Sequence, residues 1–497
     1  THVRRCATKK TTGWAARLMM VRGSPASQAL YRMVLRPHCL RELMLSIQKE
    51  RSDKMPILTK EEAQSLLKKV LGYSKSDECE VSLNGSEGGN IRYALNAVST
   101  AGDISLLGLA VTSVFGKKAG TATIDEFDDT ALERVVRRSE ELAQLAPPNP
   151  EYMPVLGPQT FAESITYNAN TAAMTPDSRA EMVAKSLSVT KAAKLTAAGF
   201  LENSTGFYAI MNSKGLFAYN KSSDVTFSVT TRNEAGTASG YAARGFTDVS
   251  KLDTLSATKI AAEKANGSVG ARAIEPGKYT VILEPVAATY MLENMFRFDA
   301  RTAEEGRSFL SKKGGGTRLG EQLMDEKVTI YSDPFNPELP SATWGGDGMP
   351  REKTTWIDKG VVKNLSYSRY WAEKKGVKPL SGPANIIMEG GTATIEDMIK
   401  STEKGILVSR LWYIRMVDPK TLLLTVLTRD GLFYIENGKI KFPIKNFRFN
   451  ESPVIMLNNV EALGKPERSI SVESYRSYLI PPMKIKEFTF SSLSDAV

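Results

Sequence analysis

The stretch "VILEPVAATYMLENMFRF", residues 281–298, carries the candidates for chemistry that are most conspicuous in this chain. A β-rich run, Tyr279–Leu283, stops at Pro285, and helical spacing then takes over with Ala287, Met291, Met295 and Phe298. Glu293-Asn294 sits on this apolar helix beside Tyr290. Two readings are open. Either the helix only packs and the polar pair lies at its margin, or it borders a cleft, because polar groups buried beside a tyrosine need partners. Residue types elsewhere limit the chemistry on offer. The histidines are His2 and His38, and the cysteines are Cys6, Cys39 and Cys79. Beyond residue 79 only carboxylates and neutral oxygens are available to a metal, which argues against a zinc site built from one copy of the chain. The same absence removes a Ser-His-Asp or Cys-His nucleophile from the body. A hard cation on oxygen ligands stays open, although no clustered acidic motif suggests one.

Two further groupings deserve weighing. Ser308, Ser311 and Lys312 are close enough in sequence for a Ser-Lys pair, a spacing that is also commonplace. "KKGGGT", residues 312–317, looks phosphate-like but lacks the P-loop order in which Lys follows the last Gly. It reads instead as a loop whose exposed amides, at Gly314 and Gly315, could line a ligand groove.

The elements that must position these residues follow from patterning. At 497 residues, 42% hydrophobic and 24% charged, the chain can bury the cores of two or three domains. No apolar run approaches the roughly 20 residues that span a bilayer. The net charge of +10 is not spread evenly. Residues 1–54 hold 12 Lys/Arg against 3 Asp/Glu, which leaves 53 against 52 in residues 55–497. The body is near neutral, so composition does not point to nucleic acid. The basic stretch 1–54 reads as a disordered tail or an over-extended start ahead of Met55, although its Arg-rich, acid-poor make-up also suits a transit peptide. A body with one cysteine fits a reducing compartment, and a cytoplasmic location is expected.

A first α+β unit is expected over 55–148. Thr59 and Glu62 form a capping box ahead of an apolar face of Ala63, Leu66, Leu67, Val70 and Leu71. Strands over Glu78–Leu83, Asn90–Val98, Ile104–Val114 and Thr121–Ile124 are separated by turn signals at Asn84-Gly85, Gly88-Gly89 and Gly102-Asp103. A helix from Asp129 ends at Pro147-Pro148-Asn149-Pro150. A second unit over 151–275 repeats the order: a helix after Thr175-Pro176, strands about Asn212–Gly215 and Val225–Thr231, and a helix near 253–266. The remainder, 277–497, is rich in strands and turns, with helices expected only at the opening stretch, near 367–374 and near 395–403. Turns are expected at Asp347-Gly348, Asp358-Lys359-Gly360, Arg429-Asp430-Gly431 and Glu436-Asn437-Gly438. The fold class is therefore α+β, a duplicated helix/strand N-terminal region followed by a strand-rich C-terminal domain.

Several fragments, in order, carry a family resemblance: "RYALNAVSTAG" (92–102), "DDTALERVVRRSEELA" (128–143), "VILEP" (281–285), "GDGMPREKTTWIDKGVVKN" (346–364), "LFYIENGKI" (432–440) and "NNVEALGK" (458–465). Over roughly residues 60 to 495 the chain resembles the TldD/PmbA family, the modulators of DNA gyrase whose active members are zinc peptidases. In the metal-binding branch the helix after the "VILEP"-like strand bears His-Glu-x-x-x-His, and a cysteine near the carboxyl terminus completes the site. Matching from Pro285 puts Glu293 at the first His, Asn294 at the general-base Glu and Phe298 at the second His, and no cysteine follows "EALGK". The resemblance thus implies a PmbA-like subunit with a degenerate site, no zinc of its own, and a related zinc-bearing TldD-type partner with which it degrades peptides or unfolded chains. A homo-oligomer is the other assembly it allows. Tyr290, Asn294, Gly314 and Gly315 are the residues expected to meet substrate. Two alternatives stand beside this: a stand-alone peptide-binding or maturation factor, and a hydrolase with non-zinc chemistry.

Overall fold

Capping decides where the first helix begins. Thr59 Oγ1 accepts from the Glu62 amide at 3.2 Å while the Glu62 carboxylate accepts from the Thr59 amide at 2.8 Å, so helix Lys60–Gly72 starts on a closed capping box and buries Ala63, Leu67 and Val70. The structure is a computed structural model, and it describes residues 57–471, 474 and 476–494. The basic stretch 1–54 lies outside the described residues.

Three strands follow as an antiparallel meander: β1 (Glu78–Ala94), β2 (Ala97–Phe115) and β3 (Lys118–Ile124). Helix Asp129–Leu145 then packs back on them. The pattern repeats with helix Pro176–Ala192, strands β4 (Thr196–Asn212), β5 (Phe217–Arg232) and β6 (Ser239–Phe246), and helix Thr254–Gly267. The expected duplication is present, and it is built around one six-stranded sheet in the order β3-β2-β1-β4-β5-β6. The first strand of each repeat pairs with the other at the centre, antiparallel. A matching detail occurs in both halves. A Cβ on Gly120 of β3 would lie 2.1 Å from the Ala143 amide nitrogen, and one on Gly240 of β6 would lie 2.0 Å from the Ala261 carbonyl. Each outer strand thus uses a glycine to let its helix backbone settle directly onto the sheet.

Some turn signals in the sequence mark other things. β1 and β2 run unbroken through Asn84-Gly85, Gly88-Gly89 and Gly102-Asp103, and the hairpin falls at Leu95-Asn96, both with positive φ of 52° and 58°. Gly88 and Gly89 serve close approach: a Cβ there would meet the Asn203 carbonyl at 2.4 Å and the Arg179 guanidinium at 2.2 Å.

The C-terminal region holds two more sheets, which makes the fold class α+β with a strand-rich C-terminal part. The larger sheet joins β7 (Gly277–Leu283), β12 (Lys404–Asp418), β13 (Leu423–Glu436), β14 (Lys439–Pro443), β15 (Phe447–Glu451), β16 (Val460–Leu463), β19 (Met483–Phe490) and β20 (Ser492–Leu493). Its central strand β7 pairs in parallel with β12 and antiparallel with β19. The smaller sheet is ordered β10 (Val361–Val362), β9 (Thr354–Asp358), β8 (Ile330–Ser332), β11 (Ile387–Met388), β18 (Ser477–Ile480), β17 (Glu467–Ile470). The helices expected near 367–374 and 395–403 occupy Arg369–Lys375 and Ile395–Lys400, and short helices at Ala300–Glu304 and Pro453–Asn458 join them. The opening helix is shorter than its apolar spacing suggests, Pro285–Leu292, and passes into a 3-10 turn over Glu293–Met295. The expected turn at Arg429-Asp430-Gly431 is a bulge within β13 instead. Asp430 and Gly431 take φ of 55° and 126°, and the register with β12 shifts there.

That bulge turns Asp430 into a buried polar junction. Asp430 Oδ2 lies 2.5 Å from Arg410 Nη1, Asp430 Oδ1 accepts from Ser239 Oγ of β6 at 2.6 Å, and the Arg410 guanidinium sits 3.7 Å over the Tyr241 ring. Beside it Lys264 pairs with Glu284, whose other carboxylate oxygen accepts from Ser409 Oγ at 3.0 Å. Burial opposes the charge on Arg410, and Tyr241, Asp430 and Tyr290 outweigh it, holding its pKa above the ordinary value. The Asp430 side chain is fully buried and that of Arg410 is 9% exposed. Removing one partner strands the other charge, so Asp430→Ala is expected to destabilise the protein by about 3–5 kcal/mol. The double variant Asp430→Leu, Arg410→Met should recover much of that loss. Urea unfolding of the two variants beside the native protein checks this; an Asp430→Ala midpoint equal to native would mean the junction contributes nothing to stability.

Candidate functional site

Pro285 fits the first helical position, where no amide donor is needed, and Glu284 is spent on Lys264 and Ser409. Every residue of helix Pro285–Leu292 except Val286 is buried, so the helix runs through the largest hydrophobic core. Met291 and Tyr290 are both fully buried there. The change to 3-10 geometry at Glu293 turns the chain outward for two residues and then back. Met295 is buried again, and Phe298 stacks on Trp356 with ring centroids 5.2 Å apart and an interplanar angle of 6°.

Those two outward residues, Glu293 and Asn294, face a cavity of about 990 Å³. Its walls come from both halves of the chain. From the N-terminal half come Ser223 and Asp224 of β5 and Thr166 on the irregular segment that runs beside that strand. The C-terminal region adds Phe296, Arg297 and Tyr478 near the helix, and Ser341, Arg351 and Asn385 on the facing loops. Asn385 fixes that loop wall. Its side-chain amide donates to the carbonyls of Asp333 at 2.7 Å and Leu339 at 2.5 Å and accepts from the Asp333 amide at 2.8 Å. On the opposite side Thr166 Oγ1 donates to the Lys221 carbonyl at 2.7 Å, and the Ser223 amide donates back to the Thr166 carbonyl at 2.9 Å. Ser474 Oγ donates to Glu293 at 3.0 Å, and Phe296 lies against Tyr478 with centroids 5.6 Å apart.

Of the residues singled out in sequence, the fold brings Glu293 and Asn294 to the cavity. Tyr290 and Phe298 enter the core. Gly314 and Gly315 stand apart from the cavity walls, in a tight hairpin closed by the Ser311–Thr317 bridge, where the Gly315 amide is taken by the Lys312 carbonyl at 3.1 Å. Lys312 pairs with Glu321 at 2.9 Å and not with a serine, while Ser308 Oγ accepts from the Leu310 amide at 3.2 Å. Sequence reasoning missed the cavity's arginines and Asp224. Arg351 lies inside one of the quoted family fragments, yet a lone arginine after a turn carries no signal of its own. Only the fold gathers it with Arg297, Arg468 and Arg476.

Asp224 is the titratable group of most interest. Burial, and then the charge of Glu202, push its pKa from 3.8 up to about 7 against the opposing pull of Arg468, which lies 3.4 Å away. Arg468 also donates to the Glu338 carbonyl at 2.8 Å, and burial pulls its own pKa down. Since the chain has no histidine after His38, a change of state near pH 7 in the body falls to such a carboxyl. A folded-state pKa above the unfolded value means that the folded protein holds the proton more tightly. Stability therefore falls as pH rises from about 4 to about 7 and levels off above. The Asp224 side chain is 43% exposed within the cavity, so solvent screens part of the effect. Asp224→Asn is expected to flatten the slope of melting temperature against pH over that window, most visibly above pH 6. An unchanged slope would show that Asp224 is ionised throughout.

Three models of one family match consecutive stretches of the chain: PmbA/TldA metallopeptidase domain 1 over residues 79–143, the central domain over 159–269 and the C-terminal domain over 276–492. Metalloprotease PmbA of Escherichia coli O157:H7 is 22% identical over 436 residues, 84% of this chain and 93% of that protein. An uncharacterized protein of Methanocaldococcus jannaschii is 26% identical over 290 residues, 54% of this chain, and the match spans 65% of that relative's length, just under two thirds. Among solved structures, TldE from Thermococcus kodakarensis shares the fold, with a TM-score of 0.78 at 19% identity over 86% of this chain and 99% of that one.

Proposed function

The chain belongs to the TldD/PmbA metallopeptidase family, and from that premise we propose that it is a PmbA-like subunit that holds peptide without carrying zinc. The metal and the hydrolytic step are assigned to a related TldD-type partner, in a heterodimer acting on peptides or unfolded chains in the reducing cytoplasm. The chain divides in this reading into three working parts, 55–148, 151–275 and 277–497, with the cavity bordered by the second and third.

The observation that carries the proposal is the fate of the three motif positions. Where the resemblance sets a first His, Glu293 accepts from Ser474 at the cavity edge. Where it sets the general base, Asn294 offers an amide, which cannot take a proton from water. Where it sets the second His, Phe298 is buried against Trp356. Among the described residues, no three side chains of His, Cys, Asp or Glu lie together in a way that could hold a metal ion. Zinc does not fit the residues present at these positions. What does fit is binding. The cavity volume of about 990 Å³ is at the upper end of ligand pockets, about 300–1,000 Å³. Its polar walls offer hydrogen bonds to an extended backbone. Among the described residues no helix is long and apolar enough to cross a membrane.

The test combines metal content with reconstitution. Purified chain, freed of any affinity tag, is expected to carry far less than one zinc per molecule by elemental analysis. Peptidase activity should arise when a TldD-type chain with an intact His-Glu-x-x-x-His is added. In that mixture Asn294→Ala on this chain should cost at most about tenfold, the scale of one lost hydrogen bond, and not the roughly 10²–10⁴-fold of a lost acid or base. Stoichiometric zinc, or chelator-resistant hydrolysis by the chain alone, would overturn the reading.

A further inference from the structure

Charge among the described residues of the cavity is unbalanced toward arginine. Arg468 is committed to Asp224 and to the Glu338 carbonyl. Among the described residues, that leaves Arg297, Arg351 and Arg476 on the walls with Glu293 as the one remaining carboxylate. Among the described residues none of these three arginines forms an ion pair.

Arg351 is the most constrained of them. Its backbone is fixed by the Trp344–Pro350 bridge and by donation from its amide to the Thr343 carbonyl at 2.8 Å. Its Nε is buried and has no hydrogen-bond partner, and the same is true of Ser341 Oγ on the same wall. Burial, and also the like charge of Arg476, depress the pKa of Arg351, while Asp347 opposes them. Asp347 is already engaged with the Met349 amide at 3.1 Å and Ser381 Oγ at 2.9 Å. A buried N–H and a buried hydroxyl without partners are costly unless something fills the role. A second guanidinium close enough to be felt makes the missing partner an anion. Planar, bidentate acceptance from a guanidinium is what a carboxylate offers. Phe296 and Tyr478, in contact on the wall of the same cavity, provide an apolar surface for another part of a ligand.

We propose that Arg351, Ser341 and Arg476 form a carboxylate-binding subsite, through which the cavity grips a peptide by its C-terminal carboxylate or by an acidic side chain. The inference rests on the cavity being a peptide holder and names the chemical feature that it selects. Arg297 and Glu293 then flank the subsite and tune its field rather than contact the anion.

The experiment uses the purified full chain and an N-terminally fluorescein-labelled hexapeptide in four forms, a free-acid or amidated C-terminus combined with a central Asp or Asn, read by fluorescence anisotropy at low salt. Loss of the recognised carboxylate is expected to weaken binding about 10- to 100-fold, the scale of a hydrogen bond to a charged group. The modification that causes the loss identifies the source. Arg351→Gln should abolish the discrimination, Arg351→Lys should restore only part of it, and Ser341→Ala should reduce it, all with native circular dichroism. Should Arg351→Gln fail to fold, Arg476→Gln at the exposed edge should still narrow the preference. Equal binding of all four peptides to the native chain would overturn the carboxylate subsite and leave peptide holding intact. If none of the four binds, peptide holding itself falls, and the subsite with it.

Discussion

Buried charge joins the two halves of the chain that wall the cavity. Arg410 and Asp430 meet at 2.5 Å with Ser239 and Tyr241 of β6 around them, and Lys264 reaches Glu284 at the very start of the helix that borders the site. A buried ion pair is not a strong source of net stability, since desolvation offsets most of the attraction. Its value here is positional. Apolar packing sets how closely the elements approach but carries no directional polar contact. A carboxylate held by a guanidinium, a hydroxyl and a bulge supplies one. A second polar contact joins the halves where Asp224 on the adjacent β5 lies 3.4 Å from Arg468 of β17.

The helix Pro285–Leu292 and the turn after it divide their residues between packing and the cavity. Burial of the helix is nearly complete, so substitutions inside it are constrained by packing density, while the turn that follows is constrained only by what faces the cavity. Phe298 stacked on Trp356 uses one such position for the core. The adjoining Glu293 and Asn294 remain polar because they face solvent in the cavity. Packing and chemistry thus act on different residues of one short segment, and one can persist when the other is lost.

Much of the architecture was legible in the sequence, and the misses have specific causes. Helix starts were readable because capping is local: Thr59 with Glu62 and Thr175 with Pro176 specify their ends within four residues. The α+β class and the duplicated order of elements followed from periodicity alone. Glycine was the main source of error. Gly88 and Gly89 read as a turn but serve the approach of β4 and Arg179, whereas the real hairpin at Leu95-Asn96 has no turn signature in its first residue. The signal at Asp430-Gly431 did mark positive φ, yet a bulge and a turn demand the same backbone conformation, and tertiary pairing decides between them. At the site, Glu293 and Asn294 could be found because they interrupt an apolar run. Arg351, Arg468 and Asp224 could not, since nothing local marks them and 244 residues separate Asp224 from its partner Arg468.

Under the proposed role, a peptide-holding subunit places different demands on its sequence than a catalytic one. A catalytic motif such as His-Glu-x-x-x-His leaves a local signature because part of its site lies on one helix, although other members of a site can come from elsewhere in the chain. Holding a chain of peptide asks for less at any single position and for more from the whole enclosure: hydrogen-bonding walls, an apolar neighbour and a net charge opposite to the guest. Such demands are distributed across Asp224 in the N-terminal sheet, Ser341 and Arg351 in a loop, and Tyr478 at the far end of the chain. They become visible only as geometry: among the described residues, Arg297, Arg351 and Arg476 form no ion pair, and only the fold brings them onto one cavity.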